Sequence, residues 1–153
     1  MGIQFDDFLL AVEPVHRDFV QSVHGVLQDA DYKLKIEEKA AGNFAAYVHP
    51  KTKRSALNLF FRKKGLMVRI YPESLIAYAD ILNALPKAMA DAIDKAPDCK
   101  RLLSPDDCNP KCATGYDFTV GGKRFRKCRF MCFQFSVTEE SKPVLTAWIK
   151  REA

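Results

Sequence analysis

The chain has 153 residues, of which 48% are hydrophobic and 28% charged, and its formal net charge is +5 at pH 7. These values are typical of one soluble globular domain, and no apolar run approaches the roughly 18 residues that a membrane-spanning helix needs. The acidic residues near the N-terminus do not fit a signal peptide, so we expect a cytoplasmic protein without a membrane partner. The positive charge permits an anionic ligand or nucleic acid as partner without requiring one.

The first 30 residues predict two helices. Residues 5–12 form a short helical lead-in, and Pro14 fits the first turn of a second helix that extends to about Asp29. His16 and His24 lie on this second helix, eight residues apart. Metal-binding pairs on helices usually lie four residues apart, so we expect both histidines to be surface or packing residues.

The hydrophobic period changes to two at Lys33, which predicts antiparallel strands. The AAGN run at 40–43 predicts a turn into a strand at Phe44–Val48. A second hairpin follows, with returning strands on either side of Lys63-Lys64-Gly65, because Gly65 can adopt the positive φ that a hairpin loop needs.

Pro72 ends this run of strands, and Ser74 is the expected cap of a helix that extends to about Ala84. Pro86 interrupts the helical pattern, so a second helix is expected from there to about residue 95. Residues 98–114 predict a loop rich in Pro, Asp and Cys.

The clearest hairpin is predicted over residues 116–128. Gly121-Gly122 forms its two-residue turn, which requires the numbers of paired residues to sum to 243. The second strand can continue, straight or with a kink, through Cys132, Phe133 and Phe135. The register pairs complementary side chains across the strands: Tyr116 with Lys127, Asp117 with Arg126, and Phe118 with Phe125.

Together these elements predict a single α+β domain over residues 1–153, with an antiparallel sheet of about six strands and helices packed on one face. A last helix, capped by Thr138 or Ser141, completes it. Its expected buried residues are Val144, Leu145, Trp148 and Ile149.

The positive charge is concentrated in a segment that also holds three of the five cysteines. Residues 100–129 contain eight basic and three acidic residues, 8 − 3 = +5, and the remaining 16 basic and 16 acidic residues cancel. Basic neighbours favour the thiolate, so a cysteine cluster here indicates bound metal or reactive sulfur. Five is an odd number for a disulfide framework. The five cysteines all lie within residues 99–132: Cys99, Cys108, Cys112, Cys128 and Cys132.

The hairpin register brings Cys112 close to Cys128 and Cys132, and a turn at Asn109-Pro110 would bring Cys108 to the same place. Four converging thiolates predict a structural zinc ion as cofactor, with each sulfur about 2.3 Å from the metal. We therefore expect Cys108, Cys112, Cys128 and Cys132 to be its ligands.

One distance limits this zinc hypothesis. In a regular strand, Cys128 and Cys132 would lie about 13 Å apart, too far for one ion. Both can be ligands only if residues 129–131 bend or form a single turn, and otherwise Cys99 is the substitute. The C-x3-C spacing also differs from the C-x2-C or C-x4-C pairs common in structural zinc sites.

Three other interpretations stay open beside zinc. The cysteines could be inert core residues, because free cysteine is among the most buried residue types. One of them could serve a thiol-based redox sensor or enzyme, although no histidine lies in the segment to act as base. The basic hairpins could instead bind nucleic acid. No catalytic residue is predicted, and a non-enzymatic binding protein is the first expectation.

Two stretches resemble known families. Residues 108–128, CNPKCATGYDFTVGGKRFRKC, with the following RFMCFQF, resemble a family of small, uncharacterised bacterial cytoplasmic proteins. The hairpin SALNLFFRKKGLMVRIY at 55–71 is similar to the central hairpin of the YdhG-like and YjbR-like families, which are small α+β proteins. The resemblance implies an α+β fold and assigns no role to an individual residue.

Overall fold

The structure, a computed structural model, describes residues 4–63, 65–73, 75–99, 115–129 and 131–153. Cys108, Cys112 and Ser74, all singled out by the sequence, lie outside these residues. None of the helices within the described residues is long and apolar enough to cross a membrane.

Helices and strands alternate in groups along the described residues, which confirms the α+β class. The α-helices of these ranges are α1 (Phe5–Ala11), α2 (Pro14–Asp29), α3 (Ala79–Asn83), α4 (Lys87–Lys95) and α5 (Ser141–Glu152), and a 3₁₀ turn at Leu75–Tyr78 precedes α3. The strands of the same ranges are β1 (Lys33–Lys39), β2 (Gly42–Val48), β3 (Ser55–Arg62), β4 (Gly65–Ile70), β5 (Tyr116–Val120), β6 (Lys123–Lys127) and β7 (Gln134–Ser136).

The strands form two sheets, where the sequence predicted one sheet of about six strands. A five-stranded sheet has the order β1-β2-β3-β4-β7, and β5 and β6 form a separate two-stranded sheet. The predicted register of that hairpin is confirmed, because Phe118 pairs with Phe125 and Tyr116 with Lys127. In the β3–β4 hairpin, Arg62 pairs with Gly65, so Gly65 begins β4, with φ of 111°.

The chain folds as two compact units. The first contains the residues up to Pro72 together with Ser136–Ala153, and the second is Glu73–Phe135. The candidate cysteine segment therefore belongs to the second unit.

One face of the sheet carries the core of the first unit. The inward side chains of β2, β3 and β4 alternate with outward ones, as the period of two requires. Helix α1 lies on this inner face, where the ring of Phe8 is 5.5 Å from that of Phe61. Helices α2 and α5 contact each other. The buried residues of this sheet face are Ala45, Tyr47, Leu57, Leu59, Leu66, Val68 and Ile70.

The last helix begins where a reciprocal pair of hydrogen bonds forms. The Thr138 amide donates to Ser141 Oγ at 2.9 Å, and the Ser141 amide donates to Thr138 Oγ1 at 3.1 Å. The N-cap position itself is occupied by Glu140, which makes no side-chain capping hydrogen bond, so neither residue that the sequence proposed is the N-cap and the two bond to each other beside it. Leu145, Trp148 and Ile149 are buried as predicted, while Val144 is half-buried.

His24 is a packing residue that connects α2 to its neighbours. Its ring stacks on Phe5 with centroids 3.7 Å apart, and its Nδ1 lies 2.8 Å from the hydroxyl of the buried Tyr47. Burial lowers the pKa of His24 from its ordinary value of 6.5, and the carboxylate of Asp6 partly opposes this shift. The structure thus places His24 in packing, one of the two roles expected for it.

Leu59→Ala tests the core of the first unit. Leu59 has 0% of its surface exposed on a central strand, so its truncation leaves a cavity and should lower the free energy of unfolding by about 2–5 kcal/mol. Leu10→Ala is the matched control, because Leu10 is 72% exposed and its loss should change stability by less than about 0.5 kcal/mol. Denaturant unfolding measures both values, and equal effects would contradict this packing.

The lowered pKa of His24 predicts how the stability of the fold changes with pH. Since the folded-state pKa of His24 is below that of the unfolded chain, the unfolded chain binds more protons in the interval between the two values. The contribution of His24 to stability is therefore complete above about pH 6.5 and is lost as the pH falls through the lower folded-state pKa. The free energies of unfolding of wild type and His24→Gln should be measured from pH 8 to 5. Their difference should become smaller as the pH falls, and a constant difference would contradict the lowered pKa of His24.

Candidate functional site

The aromatic face of the β5–β6 hairpin anchors it within the second unit. The ring of Phe133 lies 5.0 Å from that of Tyr116 and 5.5 Å from that of Phe118. At the other end of the hairpin, the Gly121 amide donates to the side-chain oxygen of Asn83 at 3.0 Å. These contacts hold both the base and the tip of the hairpin, and Cys99 and Cys128 lie at the base.

The residues before Cys99 pair with the end of β6. The Cys99 amide donates to the Arg126 carbonyl at 2.8 Å, and the Cys128 amide donates to the Pro97 carbonyl at 2.9 Å. A single antiparallel bridge joins Asp98 to Lys127 between them. Neither Asp98 nor Cys99 belongs to a strand, so both lie in the predicted loop over 98–114, and the bridge at Asp98 is an isolated one. These backbone contacts form because the edge of β6 offers partners that a local pattern does not reveal.

Lys127 is buried, with only 7% of its surface exposed. Its Nζ donates to the carbonyls of Asp94 and Ala96 at 3.0 and 2.8 Å and lies 3.1 Å from Asp98 Oδ1. Asp94 and Ala96 mark the C-terminal end of α4, where carbonyl oxygens lack helical partners. The ammonium group thus caps a helix, which compensates for its burial.

Gly115 lies against this pairing. Its amide donates to Cys99 Sγ at 3.3 Å. A Cβ atom at Gly115 would lie 2.2 Å from the Lys127 carbonyl oxygen and 2.7 Å from Cys99 Cβ. Only glycine allows the backbone to approach Cys99 and Lys127 this closely.

The chain leaves β6 in a single helical turn. The amides of Met131 and Cys132 both donate to the Cys128 carbonyl, at 3.1 and 2.9 Å. The strand therefore does not continue without interruption, since β6 ends at Lys127 and the next strand begins at Gln134. Of the alternatives that the sequence left open, the structure has the turn. Side chains four residues apart on a helical turn are neighbours, with Cβ atoms about 5–6 Å apart. Cys128 and Cys132 therefore lie close together.

The three described thiols differ in accessibility. Cys132 is 0% exposed and Cys99 is 6% exposed, whereas Cys128 is half-buried. Burial raises the pKa of the Cys132 thiol, Lys127 opposes the shift, and Cys128 adds to it. Cys128 is thus the only one of these three with substantial access to solvent.

The described residues contain part of the predicted ligand set. Cys128 and Cys132 share one turn, Cys99 lies on the segment paired with β6, and Cys108 and Cys112 lie outside the described residues. Within the described ranges, no group of three or more His, Cys, Asp or Glu side chains is arranged to hold a metal ion. A four-ligand site would therefore require Cys108 and Cys112.

Lys123 and Arg124, two exposed cations of the β5–β6 hairpin, have carboxylate partners within the unit. Arg124 makes two hydrogen bonds to the Asp117 carboxylate, at 2.9 and 2.6 Å, and Lys123 pairs with Asp94. Asp117 lies opposite Arg126 as predicted, but its ion pair is diagonal, with Arg124. Hydrogen bonds from these partners lower the pKa values of Asp94 and Asp117. Binding of nucleic acid through this hairpin stays a prediction, and it would have to compete with these pairs.

Comparison of the chain with protein-family models, with curated proteins and with solved structures gives no match. The resemblance of the cysteine segment and of the central hairpin to the families named above therefore stays a prediction.

Gly115→Ala tests the base of the hairpin. The added methyl group would overlap the Lys127 carbonyl and Cys99, so the free energy of unfolding should fall by about 1–3 kcal/mol. The control is Gly25→Ala in the middle of α2, where no atom lies within 4 Å of the new Cβ. That change should raise stability by up to about 1 kcal/mol, since alanine favours helix. Denaturant unfolding should give opposite signs, and the same sign would contradict the assignment.

Proposed function

We infer that the chain is a non-enzymatic binding protein whose cysteine segment is organised by a structural zinc ion. The proposed ligands are Cys108, Cys112, Cys128 and Cys132, with Cys99 as the substitute for Cys132. A structural site with four protein ligands leaves no open position for a substrate, which favours a binding role over catalysis.

The observation that carries this proposal is the helical turn from Cys128 to Cys132. In a continuous strand the two thiols would be too far apart for one ion, at about 13 Å. In a single turn their Cβ atoms lie about 5–6 Å apart, within the range that two ligands of one tetrahedral ion require. The main geometric objection to the four-cysteine set is thereby removed.

The charges around the turn also support a thiolate site. Four thiolates on one Zn²⁺ carry a net charge of −2, and cationic neighbours stabilise such a group. Lys127 precedes the turn, and Arg129 within it lies with its guanidinium 4.5 Å from the ring centre of Tyr116. When bound, zinc would supply folding free energy by joining residues 108–112 to the end of β6.

Metal analysis of protein purified without added metal tests the proposal. We expect about one zinc per chain, and we expect Cys112→Ser and Cys128→Ser to lose most of it together with thermal stability. Cys128 is half-buried, so its replacement is unlike a core truncation and should leave a chain that folds. Metal-free protein with unchanged melting in both variants would reject a zinc site.

Cys99→Ser is the matched control. Under the first ligand set it should retain zinc, while Cys132→Ser should lose it. The reverse pattern would assign the fourth sulfur to Cys99, whose thiol accepts the Gly115 amide. Retention of zinc in both single variants would contradict either set.

The thiol alternative makes a distinct prediction for the same protein. A redox sensor or thiol enzyme needs one accessible cysteine, and among the described thiols that is Cys128. Fast alkylation of one cysteine near neutral pH, in protein that holds no zinc, would favour this alternative. Slow alkylation of all five would remove it.

A further inference from the structure

The outer face of the first unit's sheet carries a cavity that none of the preceding functions uses. Its volume is about 360 Å³, and it lies beside the turn between β1 and β2. Its lining includes the turn residues 40–42, Phe44 on β2 and Phe60 on β3, together with Lys39 and Arg62. Alanine and glycine form the turn, and their small side chains leave this space open.

The apolar part of the cavity is aromatic. The rings of Phe44 and Phe60 stack with centroids 5.7 Å apart and planes inclined by 28°. Phe60 is only 4% exposed, because cationic groups cover it, whereas Phe44 is half-buried. Phe44 is therefore the ring that a ligand would contact.

Two cations and no acidic residue line the cavity. The guanidinium of Arg62 lies 5.1 Å from the ring centre of Phe60, and Lys39 Nζ lies 6.0 Å from that of Phe44. Lys39 shares its charge with Glu37 at 3.1 Å. Arg62 contacts no carboxylate in the part of the chain that the structure describes.

The cation–π contact with Phe60 places Arg62 at the cavity. A guanidinium over an aromatic face still has N–H donors with which it can bind phosphate or carboxylate in bidentate form. The contact also favours one position of the side chain before any ligand binds, which lowers the entropic cost of binding.

We propose that this cavity binds a small anion that carries one planar aromatic ring system and has the size of a nucleoside monophosphate. Arg62 would hold the anionic group, Lys39 would add charge, and the aromatic ring of the ligand would lie against Phe44. The volume is near the lower limit of about 300 Å³ for small-molecule sites, so it admits one ring system and one anionic group. This site is independent of the proposed zinc ion.

The test is an NMR titration of the full chain with adenosine 5′-monophosphate at low ionic strength. We expect saturable shifts of the amide signals of Gly42, Phe44 and Arg62. Adenosine, which lacks the phosphate, and ribose 5-phosphate, which lacks the base, should each bind about tenfold more weakly or worse. No saturable shift at millimolar concentrations, or equal binding of adenosine, would overturn the proposal.

Three variants assign the roles. Arg62→Gln should weaken binding of the monophosphate about tenfold or more, since a charge-assisted hydrogen bond is lost. Phe44→Leu keeps an apolar side chain but removes the ring, so it should weaken the monophosphate and leave ribose 5-phosphate unchanged. Lys33→Gln is the matched control: Lys33 is an exposed cation six residues from Lys39 on the same strand, about 20 Å away. Its replacement should leave binding unchanged.

A nucleic-acid surface is the alternative outcome. A single-stranded oligonucleotide that binds more than 100-fold more tightly than the monophosphate, and shifts signals of both basic hairpins, would overturn the small-ligand site. Equal weakening by Lys33→Gln and Arg62→Gln would do the same, because it would show general attraction by positive charge.

Discussion

The buried ammonium of Lys127 joins three parts of the second unit. Its side chain caps the C-terminal carbonyls of α4, its backbone pairs with Asp98, and its carbonyl oxygen lies where any side chain at Gly115 would have to be. A lysine is rarely this buried unless its charge has partners, and here two carbonyls and one carboxylate provide them. The positions of Cys99 and Cys128 follow from it, because both lie within one residue of the Asp98–Lys127 bridge along the chain.

The turn after Lys127 determines what the cysteines can do. In a strand, Cys128 and Cys132 would lie on the same face but about 13 Å apart. In the helical turn that the structure has, they are neighbours. The same turn buries Cys132 and leaves Cys128 half-buried, so one thiol suits a structural role and the other retains access to solvent. This difference separates the zinc proposal from the thiol alternative by experiment.

The first unit has a different chemical character. Helix α1 packs on its inner sheet face, and His24 of α2 lies between the ring of Phe5 and the hydroxyl of Tyr47. Its outer face carries aromatic rings covered by guanidinium groups, since Arg62 and Arg69 both lie about 5 Å from the ring centre of Phe60. The two units therefore offer separate candidate sites, the proposed zinc site in one and the proposed anion site in the other.

The sequence by itself determined the features that depend on neighbours along the chain. Helix α2 starts at Pro14, as the sequence predicted, and the period of two predicted β1 to β4. Gly121-Gly122 predicted the register of the β5–β6 hairpin. These predictions succeed because turn geometry and side-chain alternation depend on only a few neighbouring residues. It left open whether residues 129–131 form a strand or a turn, and it gave no sign that Lys127 is buried. Only the tertiary structure decided these points. The partners of Lys127 and of the Cys99 and Cys128 amides are about 30 residues away in sequence, and the turn begins where this distant pairing ends, at Cys128. A local pattern carries no information about which distant carbonyl will satisfy a buried donor.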